Sequence, residues 1–158
     1  MEVNSILFFQ ASRSGDLDTL NRLLQEGVAV DIRDEKGYTP LIIACYNNQW
    51  DAAKLLLDSG ADVNSGDAGG NTALMGVCFK GFPVIAELLI QYGADLDIQH
   101  GNGGTALMFA AMFGRNEMLR LLIAKGADRS LRDNRGLSAF DLAAQQGNES
   151  GIEILESQ

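Results

Sequence analysis

Three sets of residues recur along this chain with one common spacing. Thr39, Thr72, Thr105 and Ser138 stand 33 residues apart, and so do Gly27, Gly60, Gly93 and Gly126, and Gly37, Gly70, Gly103 and Gly136. Three independent landmarks in one register restrict the fold more than any composition could. A fixed period of this length marks a solenoid of stacked supersecondary units, each touching only its neighbours.

The unit is clearest between residues 34 and 66. Thr39 stands where a helix N-cap belongs, its hydroxyl available to the unpaired amides of the first turn, and Pro40 follows at the first helical position. Leu41, Ala44 and Cys45 then recur at helical spacing as a narrow apolar stripe. Asn48 closes that helix, where the other repeats carry Gly81, Gly114 and Gly147. A second helix is expected from Trp50 to Asp58, with Ala53, Leu56 and Leu57 facing inward and Gly60 ending it. The polar run from Asp62 to Asn71 returns the chain to the next threonine. Two helices this short cannot bury their own apolar faces, so the units must stack.

Gly37-Tyr38-Thr39-Pro40-Leu41, followed by Leu56-Leu57-Asp58-Ser59-Gly60-Ala61-Asp62, resembles the ankyrin repeat. The pattern returns as Thr72-Ala73-Leu74 with Gly93-Ala94-Asp95, and as Thr105-Ala106-Leu107 with Gly126-Ala127-Asp128. The resemblance spans almost the whole chain. It implies an all-α solenoid of helix-turn-helix repeats with projecting hairpin-like loops. One domain over residues 1–158 is expected, with five repeats at approximately 4–33, 34–66, 67–99, 100–132 and 133–158.

The terminal repeats are degenerate, as ends that meet solvent on one side must be. In the first, Asn4 or Ser5 is the expected helix cap, and Gly15 the helix stop. In the last, a short second helix is expected over Gly151 to Glu156. Two departures from the family pattern stand out. The family usually places His three residues after the threonine, where this chain has Ile42, Met75, Met108 and Asp141. Only Ser138 with Asp141 can form a reciprocal capping box, so the other three turns are expected to be looser. His100 also stands where the other loops start with Asp34, Asp67 and Asp133.

Composition enters mainly as exclusion. A net charge of −9 argues against nucleic acid as partner, since phosphate binding needs a basic face. Most of the excess acid lies before residue 100, which solubility explains and which could also steer a basic partner. Cys45 and Cys78 fall on equivalent helices, expected about 8–10 Å apart, too far for a disulfide; both read as small buried hydrophobes. The N-terminus lacks the positive region and apolar core of a signal peptide, and no apolar run is long enough to span a bilayer. A cytoplasmic monomer is the expectation.

Candidate chemistry is thin. Gly101-Asn102-Gly103-Gly104 looks superficially like a phosphate loop, but neither a Gly-Lys-Ser/Thr nor a preceding strand accompanies it. One histidine and two core cysteines make a poor zinc set, and the Asp95–Asp97 and Asp62–Asp67 pairs lack a calcium-type ligand loop. Neither catalysis, a cofactor nor a metal is expected.

What remains is surface. Seven residues after each repeat's Thr or Ser come Tyr46, Phe79, Met112 and Gln145, with Arg13 in the first repeat; Lys80 and Phe113 follow two of them. In ankyrin repeats, by resemblance, this position and the loop tips (here Tyr38, Asn71 and Gly104) vary and usually contact partners. Tyr46, Phe79 and Met112 are therefore expected to line one groove wall. Trp50 is a weaker candidate. The expected function is a non-catalytic module that binds a partner protein. Thr72 to Gly81 resembles small stand-alone bacterial ankyrin proteins, some associated with catalases, which points to an accessory of an oxidative-stress enzyme. The alternative is an acidic inhibitor or immunity protein that blocks a basic toxin or nuclease.

Overall fold

The computed structural model describes residues 2–157. Among them it contains ten α-helices in five successive pairs: α1 (Val3–Ser14) with α2 (Leu17–Gln25), α3 (Pro40–Tyr46) with α4 (Trp50–Asp58), α5 (Ala73–Lys80) with α6 (Pro83–Gln91), α7 (Ala106–Met112) with α8 (Asn116–Ala124), and α9 (Ala139–Gln145) with α10 (Glu149–Glu156). Extended pairing among the described residues is confined to one antiparallel bridge, Gly66 to Thr72, at the base of a loop. This is the all-α solenoid that the period requires.

Each internal repeat begins with the expected cap. Thr39, Thr72 and Thr105 accept hydrogen bonds from the amides of Ile42, Met75 and Met108 at 3.2, 3.3 and 3.3 Å. Ser138 does the same for Asp141, whose carboxylate accepts in return from the Ser138 amide, so the capping box forms where the sequence allows it. Donation from the Ser138 amide, joined by its hydroxyl, holds the Asp141 carboxyl below its usual range. The other three caps keep the forward bond and lack only the return one.

The turn inside each pair depends on one backbone conformation. After α3, the Asn48 amide bonds the Cys45 carbonyl and the Gln49 amide reaches the Ala44 carbonyl at 2.9 Å. This paired closure needs a left-handed residue between the helices. Asn48 supplies it at φ 59° and is the one non-glycine residue with positive φ among those described; Gly15, Gly81, Gly114 and Gly147 fill the same place elsewhere.

The first helices of successive pairs pack closely against one another, while the second helices touch more sparingly. Fully buried small residues, Ala44, Val77, Ala110 and Ala143, occur at one equivalent place in the first helices and permit the approach. The stack is therefore tighter on the first-helix side than on the other. Leu56, Leu89 and Leu122, all 0% exposed, run through the second-helix side as a continuous core column. Cys45 and Cys78 are free and buried, and burial pushes both thiols far up from their ordinary range.

The loops stack as well. The Ala68 amide bonds the Lys36 carbonyl at 3.1 Å, and the Gly101 and Asn134 amides bond the Gly69 and Asn102 carbonyls at 2.9 Å each. Gly37 and Gly103 lie under these contacts at positive φ, where a Cβ would come within 2.6 and 2.8 Å of the next loop's backbone nitrogen. His100 keeps the loop function of the aspartates it replaces. Its Nδ1 accepts from the Gly104 amide at 3.0 Å, as the carboxylates of Asp34, Asp67 and Asp133 accept from the amide four residues on. That bond leaves Nδ1 unprotonated and assigns the ring hydrogen to Nε2.

Two terminal expectations are corrected. Asn4 and Ser5 lie inside α1, which starts at Val3 after Glu2 with no side-chain cap. Helix α10 begins at Glu149, two residues before Gly151, because the Asn148 side chain caps it by accepting from the Gly151 amide at 3.0 Å. Among the described residues, no helix is long and apolar enough to cross a membrane.

Two outcomes follow for stability. Leu89→Ala should cost about 2–5 kcal/mol, read as a shift of the denaturation midpoint, because it opens a cavity in the core column. Asn48→Ala should cost about 1–2 kcal/mol, through the strain of a Cβ at left-handed φ. Asn48→Gly should match or exceed the native midpoint.

Candidate functional site

A groove runs along the first helices where the loops project over them. Its larger hollow, of about 470 Å³, is bounded by Tyr38 and Asn71 from two loops, Ile43 and Tyr46 of α3, Met75 and Phe79 of α5, and Arg13 at the end of α1. A second hollow of about 400 Å³ lies beside it, lined by His100, Met108 and Met112 with residues of the following loop. Phe109 borders both and divides the groove. Both volumes fall in the range of sites that enclose ligand-sized groups, about 300–1,000 Å³.

The aromatic ladder exists, with one rung changed. The Tyr46 and Phe79 rings lie nearly parallel (7°), their centroids 6.2 Å apart. The next rung is Phe113, which meets Phe79 edge-on at 4.7 Å. Helix α7 ends at Met112, and Phe113, its cap residue, reaches back onto α5. Met112 instead lies half-buried in the second hollow. Tyr46 and Phe113 remain 41% and 43% exposed, as rings committed to the core would not.

Lys80 extends over this ladder, its Nζ 5.0 Å from the Tyr46 centroid and 6.0 Å from that of Phe82. Arg115 approaches from the next repeat, donating through Nε to the Phe79 carbonyl at 3.0 Å. Gln49 makes the equivalent bond one repeat pair earlier, from Nε2 to the Arg13 carbonyl at 3.1 Å.

The remaining sequence candidates divide. Tyr38 and Asn71 are half-buried on the groove wall, the Asn71 side chain held by donating to both oxygens of Asp67. Gly104 is buried, and a Cβ there would lie 2.9 Å from the His100 ring, so it shapes the second hollow from beneath and offers no side chain. Gln145 is exposed at the end of α9, outside both hollows. Trp50, 38% exposed, opens α4 away from the ladder.

Two residues that shape the floor were not anticipated. Phe109 and Gly76 occupy equivalent places four residues after Thr105 and Thr72, where Ile43 and Leu142 stand in the flanking repeats. A Cβ at Gly76 would come 3.2 Å from Tyr46 Cδ1, so its missing side chain makes room for the Tyr46 ring. A glycine inside a helix, where it costs about 0.5–1 kcal/mol against alanine, was the available signal.

Among the described residues, no three or more His, Cys, Asp or Glu come together as a metal-binding group. The larger hollow offers apolar rings, two asparagines, the Asp67 carboxylate and the Arg13 cation, a set suited to recognition.

Comparison with curated proteins returns no match. A family model described as ankyrin repeats (3 copies) matches residues 8–100 and again residues 75–157. Together the two matches run from the first helix to the last, and the chain belongs to the ankyrin-repeat family.

Proposed function

We propose that this chain is a non-catalytic protein-binding module whose partner seats in the groove along the first helices, over the Tyr46–Phe79–Phe113 ladder. Ankyrin repeats generally mediate protein–protein interaction and are typically non-catalytic. The observation that carries the reading is the ladder itself. Three aromatic rings from successive repeats contact one another in series while two of them stay about 40% exposed. Aromatic side chains are enriched at interface centres, and a few of them commonly supply most of the binding energy.

For the identity of the partner, the resemblance of Thr72 to Gly81 to small stand-alone bacterial ankyrin proteins supports an accessory role to an oxidative-stress enzyme such as a catalase. The protein itself acts as a monomer in this reading. An acidic blocker of a basic toxin or nuclease would have to use another surface, since Arg13 and Lys80 flank the larger hollow. The ladder separates the two: a blocker held by its acids on another surface should be indifferent to loss of the rings, an aromatic anchor should not.

The test is a triple variant, Tyr46→Ala, Phe79→Ala and Phe113→Ala, compared with the native chain for melting and for capture of its partner from host extract. Truncation at these positions should cost about 1–2 kcal/mol of stability, counting the lost ring pairs. A central anchor should cost about 2 kcal/mol or more of binding, so capture should be lost while the fold persists. Undiminished capture by the folded variant would overturn the groove assignment. Gly76→Ala gives an independent check. The helix gains about 0.5–1 kcal/mol from alanine, the exposed Tyr46 ring has room to shift, and melting should hold or rise while binding weakens.

A further inference from the structure

We infer that the segment this groove receives is acidic: an extended stretch of a partner chain that lays an apolar side chain against the ladder and carboxylates on either side of it. The inference rests on the protein-binding reading above and adds the chemistry of what is bound.

The groove's charge differs from that of the molecule. The chain carries a net charge of −9, yet the cations gathered around the ladder are Arg13 on the hollow's wall, Lys80 over Tyr46, and Arg115 bonded to the Phe79 carbonyl. The four ion pairs among the described residues are Arg22–Glu26, Lys54–Asp58, Arg132–Asp141 and Arg135–Asp133, and none of them uses these three cations. Arg13, Lys80 and Arg115 are all exposed. Arg115 bonds through Nε, which leaves its outer guanidinium nitrogens without a protein partner among the described residues. The one carboxylate on the wall of the larger hollow, Asp67, is already committed, accepting from the amides of Gly69 and Asn71 and from the Asn71 side chain. A carboxylate entering the larger hollow therefore meets free donors and an excess of positive over negative charge, the cations Arg13, Lys80 and Arg115 against Asp67, whereas a lysine or arginine meets a net like charge.

The helix ends offer a competing account of the same cations. Arg13 and Lys80 stand in the last turns of α1 and α5, where a positive charge is favoured by the helix dipole whether or not anything binds. Arg115 meets that account in part: its backbone stands at the N-cap of α8, but its guanidinium bonds the Phe79 carbonyl at the C-terminal end of α5, and only its outer nitrogens remain unused by that bond. The two accounts also differ in what they leave behind. A dipole role is lost as stability, while a recognition role is lost as affinity and altered preference.

The experiment selects peptides from a random dodecapeptide display library on the immobilised full chain, then measures the best binders by fluorescence anisotropy. The expected pool is net negative, with an aromatic or large aliphatic residue flanked by Asp or Glu. Double charge reversal, Lys80→Glu with Arg115→Glu, should weaken the selected acidic peptide about tenfold and lower melting modestly, since both side chains also serve the end of α5, with the chain still folded. Repeating the selection on that variant should shift the pool toward neutral or basic peptides. Peptides that depend on the ladder but come out neutral or basic, or acidic ones indifferent to charge reversal, would overturn the acidic assignment and leave the groove standing. A pool untouched by the triple alanine variant would overturn both.

Discussion

The whole arrangement depends on how each first helix ends. A residue held at left-handed φ lets the amide after it bond back to the carbonyl five residues earlier, and the chain reverses in the same way at each repeat. Gly27, Gly60, Gly93 and Gly126 do the same after α2, α4, α6 and α8. Because the reversal is a backbone property, it recurs identically while the side chains around it change. Every helix pair therefore presents the same two apolar faces, and stacking becomes the repetition of one interface.

That repetition explains how energy is divided between scaffold and surface. The leucine column and the small residues between first helices are buried almost completely, and the caps are satisfied by threonine or serine. No described buried side-chain nitrogen or oxygen lacks a hydrogen-bond partner. With the frame complete in these terms, the ladder rings are not needed to close the core. Their exposure is a surplus that the interior does not explain, and the cations beside them are likewise outside the ion pairs of the surface.

Periodicity made the frame legible from sequence, and the groove only partly so. Thr39, Gly60 and Asn48 could be placed because a cap, a helix stop and a left-handed turn are local demands that particular residue types meet. The ladder could be placed at one position per repeat, since equivalent residues stack. Which neighbour fills the rung was not legible: Phe113 supplants Met112 because a cap residue leaves its helix axis, which no spacing rule encodes. Gly104 looked like a loop tip, yet the His100 ring covers it, a contact that follows from replacing one aspartate with a larger acceptor. Asn4 and Ser5 had capping chemistry but no capping position, because α1 already begins at Val3, upstream of both. Gly76 and Phe109 were missed because floor residues matter through the space they leave or fill.

The loop tethers have a consequence for how such a surface can change. Lys36 to Ala68, Gly69 to Gly101 and Asn102 to Asn134 are joined by main-chain hydrogen bonds. The side chains of Lys36, Ala68 and Asn102 take no part in the tether, while that of Asn134 adds a bond to the Gly101 carbonyl, so the first three can be exchanged without moving the edge that carries them. The projecting edge thus behaves like a rack of fixed pitch holding interchangeable fittings. A new specificity can be written on it one residue at a time, provided the glycines beneath are kept, and the spacing between fittings is inherited rather than rediscovered.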